Sequence, residues 1–278
     1  MRHYRLLVLA VAACLLLPMA AAAPTAQQSA DQAKALLAKG DLEGALQAYQ
    51  AAARADESHL QQFAVVRQAL EIRRQLETEQ DPERWEYLGR ALHSFYLRNG
   101  LYAQALDLAT KMHQRLRSET SAVVVAETAF AINKNDIAAQ ALSSLDAAQT
   151  SPATQALLGV ALSRQGKPHE ARQIAQKVRP ADDSAPPAVY AIARLQAATG
   201  NTKAALASLE RVFQSLPPSR QESYKDHARQ CPEFSGLVST AAFAKVLQTE
   251  SKVPESKCSG GSSCAGCPMR GKCQHGEQ

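Results

Sequence analysis

The sequence of 278 residues is poor in aromatic residues, which make up 5% of the chain and include a single tryptophan. Runs of β-branched residues are almost confined to Val123-Val124-Val125. Alanine, leucine, glutamine and arginine, which are strong helix formers, are abundant instead. The composition therefore predicts an all-α chain, and 46% hydrophobic residues are enough to bury a core.

The sequence also lacks a concentrated charge and the common catalytic motifs. The net charge of +5 is modest and is spread along the chain, unlike the basic face of a nucleic-acid-binding protein. Neither G-x-S-x-G nor H-E-x-x-H occurs. The histidines beyond the first segment and before the C-terminal tail are single and scattered: His59, His93, His113, His169 and His227. We therefore expect a protein that is not an enzyme and does not bind nucleic acid.

Residues 1–22 are typical of a secretory signal peptide. Arg2 and Arg5 supply the positive start, residues 6–17 the apolar centre, and a run of small residues permits cleavage after Ala22. The apolar run is too short to span a bilayer, and no later segment is apolar enough to do so. We therefore expect export to a bacterial periplasm.

The same segment leaves a second mode of export open. Residues 11–14, Val-Ala-Ala-Cys, resemble a bacterial lipoprotein box, in which Cys14 would be lipidated and become the new N-terminus. The apolar stretch continues past Cys14 to Leu17, which is atypical of that processing. A lipid anchor at Cys14 and a membrane-attached protein are thus the alternative.

Several glycines at expected turns are each followed five residues later by an alanine. These pairs are Gly40/Ala45, Gly100/Ala105, Gly166/Ala171 and Gly200/Ala205. The last two pairs lie 34 residues apart, and a fixed period of this length is the signature of stacked helix pairs.

On these residues the chain resembles the tetratricopeptide repeat (TPR) family. In that family a glycine closes the turn, and an alanine five residues on lies where the two helices cross. Leu158-Gly159 matches the family's leucine-glycine step, and Pro217 matches its terminating proline. The resemblance implies a right-handed α-solenoid of antiparallel helix pairs, which we expect over residues 26–218.

Two segments depart from the family pattern. Residues 59–80 lengthen the spacing between the first two units and predict an additional helix, with Phe63, Val66, Leu70 and Leu76 on one side. A long helix should then run from Pro82 to Arg98, with Trp85 in its apolar stripe.

A degenerate pair should follow at residues 118–133 and 136–146. There we expect Asn135 at the turn where glycine is usual, because asparagine tolerates the left-handed conformation.

The repeats should end in a helical cap at residues 219–250, where Phe234, Leu237 and Phe243 cover the last pair. Such a cap is needed because the terminal face of a stack would otherwise expose apolar surface. Residues 251–278 are rich in Ser, Gly, Lys and Cys and have no apolar period, which is typical of a tail without a core.

The resemblance also implies a binding site, since the first helix of each TPR pair lines a concave groove that holds partner segments. By the family's periodicity, the residues expected in or beside this groove are Lys34, Arg90, Ser94, Arg98, Arg164, Tyr190 and Arg194. The set is mostly basic and would favour an acidic protein or peptide partner through charge-assisted hydrogen bonds. The alternative is that these side chains are simply solvated.

The tail contains Cys258, Cys264, Cys267 and Cys273, with His275 just beyond. Four thiolates at this spacing could bind one zinc ion, another soft metal or an iron–sulfur cluster. In an oxidising compartment they could equally form two disulfides, or cycle as redox thiols. The sequence thus predicts an interaction scaffold of the bacterial periplasm or envelope, with a metal-binding or thiol-redox protein as the alternative.

Overall fold

The computed structural model describes residues 24–146 and 150–255. Within these ranges the chain forms thirteen α-helices, two 3-10 helices and no β-strand. The all-α class and the packing of consecutive helices in TPR-like pairs are confirmed. The predicted signal peptide, Cys14 and the cysteines of the tail lie outside the described residues.

The helices follow one another along the chain with short connections. They are α1 (Ala26–Ala38), α2 (Leu42–Ala55), α3 (Leu60–Thr78), α4 (Pro82–Arg98), α5 (Tyr102–Leu116), α6 (Glu119–Ala131), α7 (Asn135–Ser143), α8 (Pro152–Arg164), α9 (Pro168–Lys177), α10 (Pro186–Ala198), α11 (Thr202–Gln214), α12 (Pro218–Gln230) and α13 (Ala241–Leu247). The 3-10 helices are Glu57–His59 and Pro232–Phe234.

Side-chain caps explain where several helices begin. Helix α1 starts at Ala26 because Thr25 and Gln28 form a reciprocal capping box. Helix α4 starts at Pro82 because the Asp81 carboxylate accepts a hydrogen bond from the Arg84 N–H at 2.7 Å. These caps satisfy backbone N–H groups that have no partner inside the helix.

Several turns between successive helices require a left-handed residue. Gly40, Gly100, Gly166 and Gly200 all have positive φ, between 70° and 84°. The prediction for Asn135 is wrong, because Asn133 has φ 58° and makes the turn, whereas Asn135 is the first residue of α7. Asn133 precedes the buried Ala138 by five residues, so it stands where the other turns have glycine.

The chain divides between Leu101 and Tyr102 into two compact units. In the first unit, α1 packs on α2, α2 on α3, and α3 on α4. Ala45, Tyr49 and Ala52 lie on one face of α2, at steps of four and three residues, and all three are buried. Trp85 of α4 is also buried, as its place in the apolar stripe predicts.

In the second unit, α6, α8 and α10 pack on one another in succession and form an inner layer. Their contacts are made largely by small residues, which let helices approach closely. The alanines of this core that are fully buried include Ala122, Ala126, Ala129, Ala156 and Ala161. The abundance of alanine in the sequence is thus explained by helix–helix packing.

Hydrogen bonds join neighbouring repeats of the second unit. Arg164 Nη1 donates to the carbonyl of Phe130 at 3.4 Å, and Ser163 Oγ donates to the carbonyl of Ala198 at 3.3 Å. Phe130, Arg164 and Ala198 are 34 residues apart, so these bonds link the C-terminal ends of α6, α8 and α10 at the repeat period. They supply partners for carbonyls at helix ends.

A second core follows the last pair. Phe234, Leu237 and Phe243 are buried against Val189, Leu209 and Phe213. Most of the aromatic residues of this unit therefore lie near its C-terminal end, where α13 also packs on α11.

Substituting Gly159 tests how closely α8 and α10 approach. A Cβ at residue 159 would lie 2.5 Å from Leu195 Cδ1 and 3.2 Å from Cδ2, and Leu195 is itself buried. Overpacking of this kind costs about 1–3 kcal/mol, against about 1 kcal/mol gained in helix propensity. Gly159→Ala should therefore lower the free energy of unfolding by about 1 kcal/mol in denaturant titrations.

The matched control is the same substitution in a Leu195→Ala background. With the leucine side chain removed, the added methyl should be neutral or stabilising. An equal loss in both backgrounds would contradict the proposed contact.

Candidate functional site

Five side chains of the second unit form what we call the Glu233 cluster. It comprises Glu127 and Phe130 of α6, Arg164 of α8, Arg194 of α10 and Glu233 of the second 3-10 helix. All three inner helices and the segment after α12 therefore meet here. Two of these residues, Arg164 and Arg194, belong to the predicted groove set.

The cluster is held together by paired charges. The Glu233 carboxylate accepts from Arg164 Nε through Oε1, and from Arg194 Nε through Oε2 at 3.1 Å. Arg194 Nη1 also donates to both oxygens of Glu127, at 2.9 and 3.0 Å. Two guanidinium groups and two carboxylates thus balance one another in charge.

The two arginines also contact the ring of Phe130. Their Cζ atoms lie 4.7 Å (Arg164) and 5.0 Å (Arg194) from its centroid, within the range of a cation–π contact. Arg194 is buried, with 2% of its side chain exposed, and Arg164 is partly buried, with 12% exposed. Such burial is tolerated only because each guanidinium is paired and hydrogen-bonded.

Burial and the two neighbouring arginines shift the pKa of Glu233 in opposite directions. Burial alone would raise the pKa of this carboxyl, but the hydrogen bond from Arg164 and the charge of Arg194 lower the pKa to about 2. Beside it, burial and the neighbouring Glu233 raise the pKa of the Cys231 thiol to about 12. Cys231 is thus a buried thiol that donates to Glu233, with no thiolate character at neutral pH.

Tyr190, the third predicted groove residue of this unit, lies beside the cluster. Its hydroxyl is 2.7 Å from His227 Nδ1, and its ring stands edge-on to Tyr224. Together with Glu127 and Arg194 these residues line a depression of about 230 Å³. Because Arg194 is buried beneath Glu127, whose side chain is 46% exposed, the charge accessible here is mainly acidic.

The four predicted groove residues of the first unit differ in what they contact. Lys34 pairs with Asp31, and Arg90 pairs with Glu86 on its own helix. Ser94 and Arg98 instead line a groove of about 550 Å³ between α3 and α4, which we call the α3–α4 groove. Its walls are formed by Val65, Gln68, Ala69, Ile72, Ala91, Ser94, Phe95, Arg98 and Asn99.

The described residues contain no group of three or more His, Cys, Asp or Glu side chains placed to hold a metal ion. The predicted metal or disulfide residues, Cys258, Cys264, Cys267, Cys273 and His275, lie outside the residues that the structure describes. Among the helices of residues 24–146 and 150–255, none is both long and apolar enough to cross a membrane.

Consecutive helix pairs joined by left-handed turns define a helical-repeat protein. The family model of the tetratricopeptide repeat matches residues 152–177, which contain α8 and α9. The match and the pairwise packing support a TPR protein. In a comparison with curated protein sequences, none matched the chain significantly.

Sequence reasoning identified both arginines of the cluster but neither of its carboxylates. Glu127 and Glu233 lie 67 and 39 residues from Arg194 along the chain, and no spacing rule connects them. The one usable signal is the acidic residue in the Cys-Pro-Glu-Phe segment that follows α12, since a charged residue between buried apolar ones requires a partner.

Glu233 should make stability depend on acid pH. Its pKa is about 2 in the folded protein and near the ordinary 4.5 when unfolded, so its contribution is complete above pH 4.5. As the pH falls from 4.5 towards 2, this contribution is lost, because the unfolded state binds the proton first. Denaturant titrations over this range should therefore show a falling free energy of unfolding.

Glu233→Gln should remove that part of the pH dependence. At pH 7 it leaves the buried Arg194 and the partly buried Arg164 with one carboxylate, Glu127, between them, which costs about 3–5 kcal/mol. The exposed Glu210 of α11 offers a matched control, since Glu210→Gln should change stability by less than about 0.5 kcal/mol. If the two variants had equal stability, the cluster would not hold the unit together as described.

Proposed function

We propose that the protein is a non-enzymatic scaffold that binds a partner protein in the bacterial periplasm or cell envelope. The observation that carries this proposal is the stack of TPR-like helix pairs, together with the family match at residues 152–177. Each repeat contacts mainly its neighbours, so such stacks present extended surfaces to other proteins. The fold does not specify the partner, so the class of partner has to be inferred from the chemistry of a site.

The two arginines of the Glu233 cluster are poor candidates for direct partner contact. Arg194 is 2% exposed and engages Glu127 and Glu233, so a partner carboxylate would have to displace an existing ion pair. Arg98 is exposed on α4 and makes no ion pair or hydrogen bond with the residues that the structure describes. We therefore assign the first contact with an acidic partner to the surface around Ser94 and Arg98.

Export is proposed from the sequence alone. The positive start, apolar centre and small residues of positions 1–22 favour secretion with cleavage after Ala22. The lipoprotein-like segment ending at Cys14 keeps a membrane-attached form as the alternative.

Photo-crosslinking in cells that make the protein tests partner binding. A benzophenone amino acid at the exposed Ser94 should give a discrete adduct with one protein, because the site lies in the proposed contact surface. The matched control replaces Arg84, which is exposed at the other end of α4 and does not line the groove. Mass spectrometry identifies the captured protein.

Two crosslinking results would contradict the scaffold proposal. Absence of a discrete adduct at Ser94, and equally at the exposed Lys34 and Tyr87 of the same unit, would count against partner binding by this unit. Adducts of equal yield at Ser94 and Arg84 would indicate random collision rather than a site.

The mass of the purified protein tests the mode of export. Cleavage after Ala22 predicts a soluble periplasmic form whose first residue is Ala23. A form that begins at a lipidated Cys14 and fractionates with membranes would establish the alternative. An uncleaved N-terminus in the cytoplasmic fraction would contradict both.

A further inference from the structure

The α3–α4 groove results from the helix that interrupts the repeat period. Helix α3 packs on both α2 and α4, and it buries Val66 and Leu70 in those contacts. The neighbouring Val65 remains 42% exposed at the groove. Its side chain therefore adds accessible apolar surface to the groove.

The walls of the groove repeat at helical spacing. On α3 they present Val65, Gln68 and Ile72, and on α4 they present Ala91, Ser94 and Arg98, each set at steps of three and four residues. Seven residues of helix correspond to about 10 Å, or two turns. The groove therefore matches the apolar face of a helical segment about two turns long.

The floor and walls of the groove are suited to close helix packing. Ala69 and Phe95, which line it, are both buried and apolar. Ala91 and Ser94 are small, so the axis of an incoming helix could approach that of α4 closely. Gln68 and Asn99 add polar side chains to the lining, and the Asn99 amide donates to the carbonyl of Phe95 at 2.8 Å.

The groove has one charged side chain, Arg98, and none of the residues that line it is acidic. Arg98 has no ion-pair or hydrogen-bond partner among residues 24–146 and 150–255. Arginine forms planar, charge-assisted hydrogen bonds with carboxylates, and the surrounding apolar residues would strengthen them by excluding water. Charge complementarity therefore favours an acidic group at this position of the bound segment.

We propose that the α3–α4 groove binds a short amphipathic helix of a partner protein, with apolar side chains between α3 and α4 and an Asp or Glu side chain on Arg98. This inference rests on the proposed scaffold function and specifies the chemistry of the segment that it binds. Arg90 takes no part, because it is held by Glu86 and does not line the groove.

The test is selection from a library of helices displayed on a helical scaffold. Each helix carries leucines at steps of three and four residues, and one further position on the same face is randomised. The wild-type protein should enrich Asp and Glu at that position, by about tenfold over Lys and Arg. Arg98→Glu should reverse the preference to Lys and Arg, while Arg90→Gln should select as the wild type does.

Several outcomes would overturn the proposal. They are the absence of any enriched helix, a preference for charge that Arg98→Glu leaves unchanged, and loss of selection in Arg90→Gln alone. Circular dichroism should show that both variants keep their helix content, since both arginines are exposed.

Self-association is tested separately by sedimentation. A dimer that dissociates in Arg98→Glu would assign the groove to a second copy of this chain and overturn the assignment to a partner helix. A crosslinked partner at Ser94 without any charge preference in the library would leave the scaffold function standing and remove only this inference.

Discussion

The second unit depends on one carboxylate buried between two guanidinium groups. Glu233 is 2% exposed and binds Arg164 and Arg194, which come from successive inner helices. Without it, Arg164 would lose its ion-pair partner and Arg194 would keep only Glu127, and a charge left short of partners in a low-dielectric core is far more costly than an unpaired polar group. The packing of α8 and α10, and of the segment that covers them, is therefore coupled to a single side chain.

The same interaction divides the basic residues of the predicted groove into two kinds. Arg164 and Arg194 are neutralised from within the chain, and the accessible charge above Arg194 is that of Glu127. Arg98 of the first unit has no such partner among the described residues. Arginines that look alike in the sequence thus differ in the structure. Arg164 and Arg194 stabilise the fold, whereas Arg98 presents its charge to solvent.

Local features of the sequence predicted most of the fold. The turn glycines can be recognised from the sequence because only a residue without Cβ adopts positive φ at little cost. The alanines can be recognised because they recur five residues later, where two helices cross. The Asn133 turn was misplaced by two residues because two asparagines lie close together and both tolerate the left-handed conformation. Periodicity also predicted the additional helix α3, whose buried face carries Val66 and Leu70.

The sites were harder to predict, because they depend on pairs that are distant along the chain. The bond between Arg164 and Glu233 joins residues 69 positions apart, and it forms only once three helices have packed. The groove at Ser94 and Arg98 depends on how α3 lies beside α4, which the helical pattern of neither helix specifies. Hydrophobic periodicity shows which face of a helix is buried, but it does not show which charges will meet.

The position of Glu233 near the end of the described chain has a consequence for the order of folding. Because Glu233 follows Arg164 and Arg194 along the sequence, a chain that emerges with its N-terminus first presents both arginines before the carboxylate that pairs with them. Until then α8 and α10 cannot bury both guanidiniums at low cost, so the inner layer of this unit should close late. The segment after α12 thereby completes the inner layer, and a chain that ended before residue 233 should leave this layer incompletely packed.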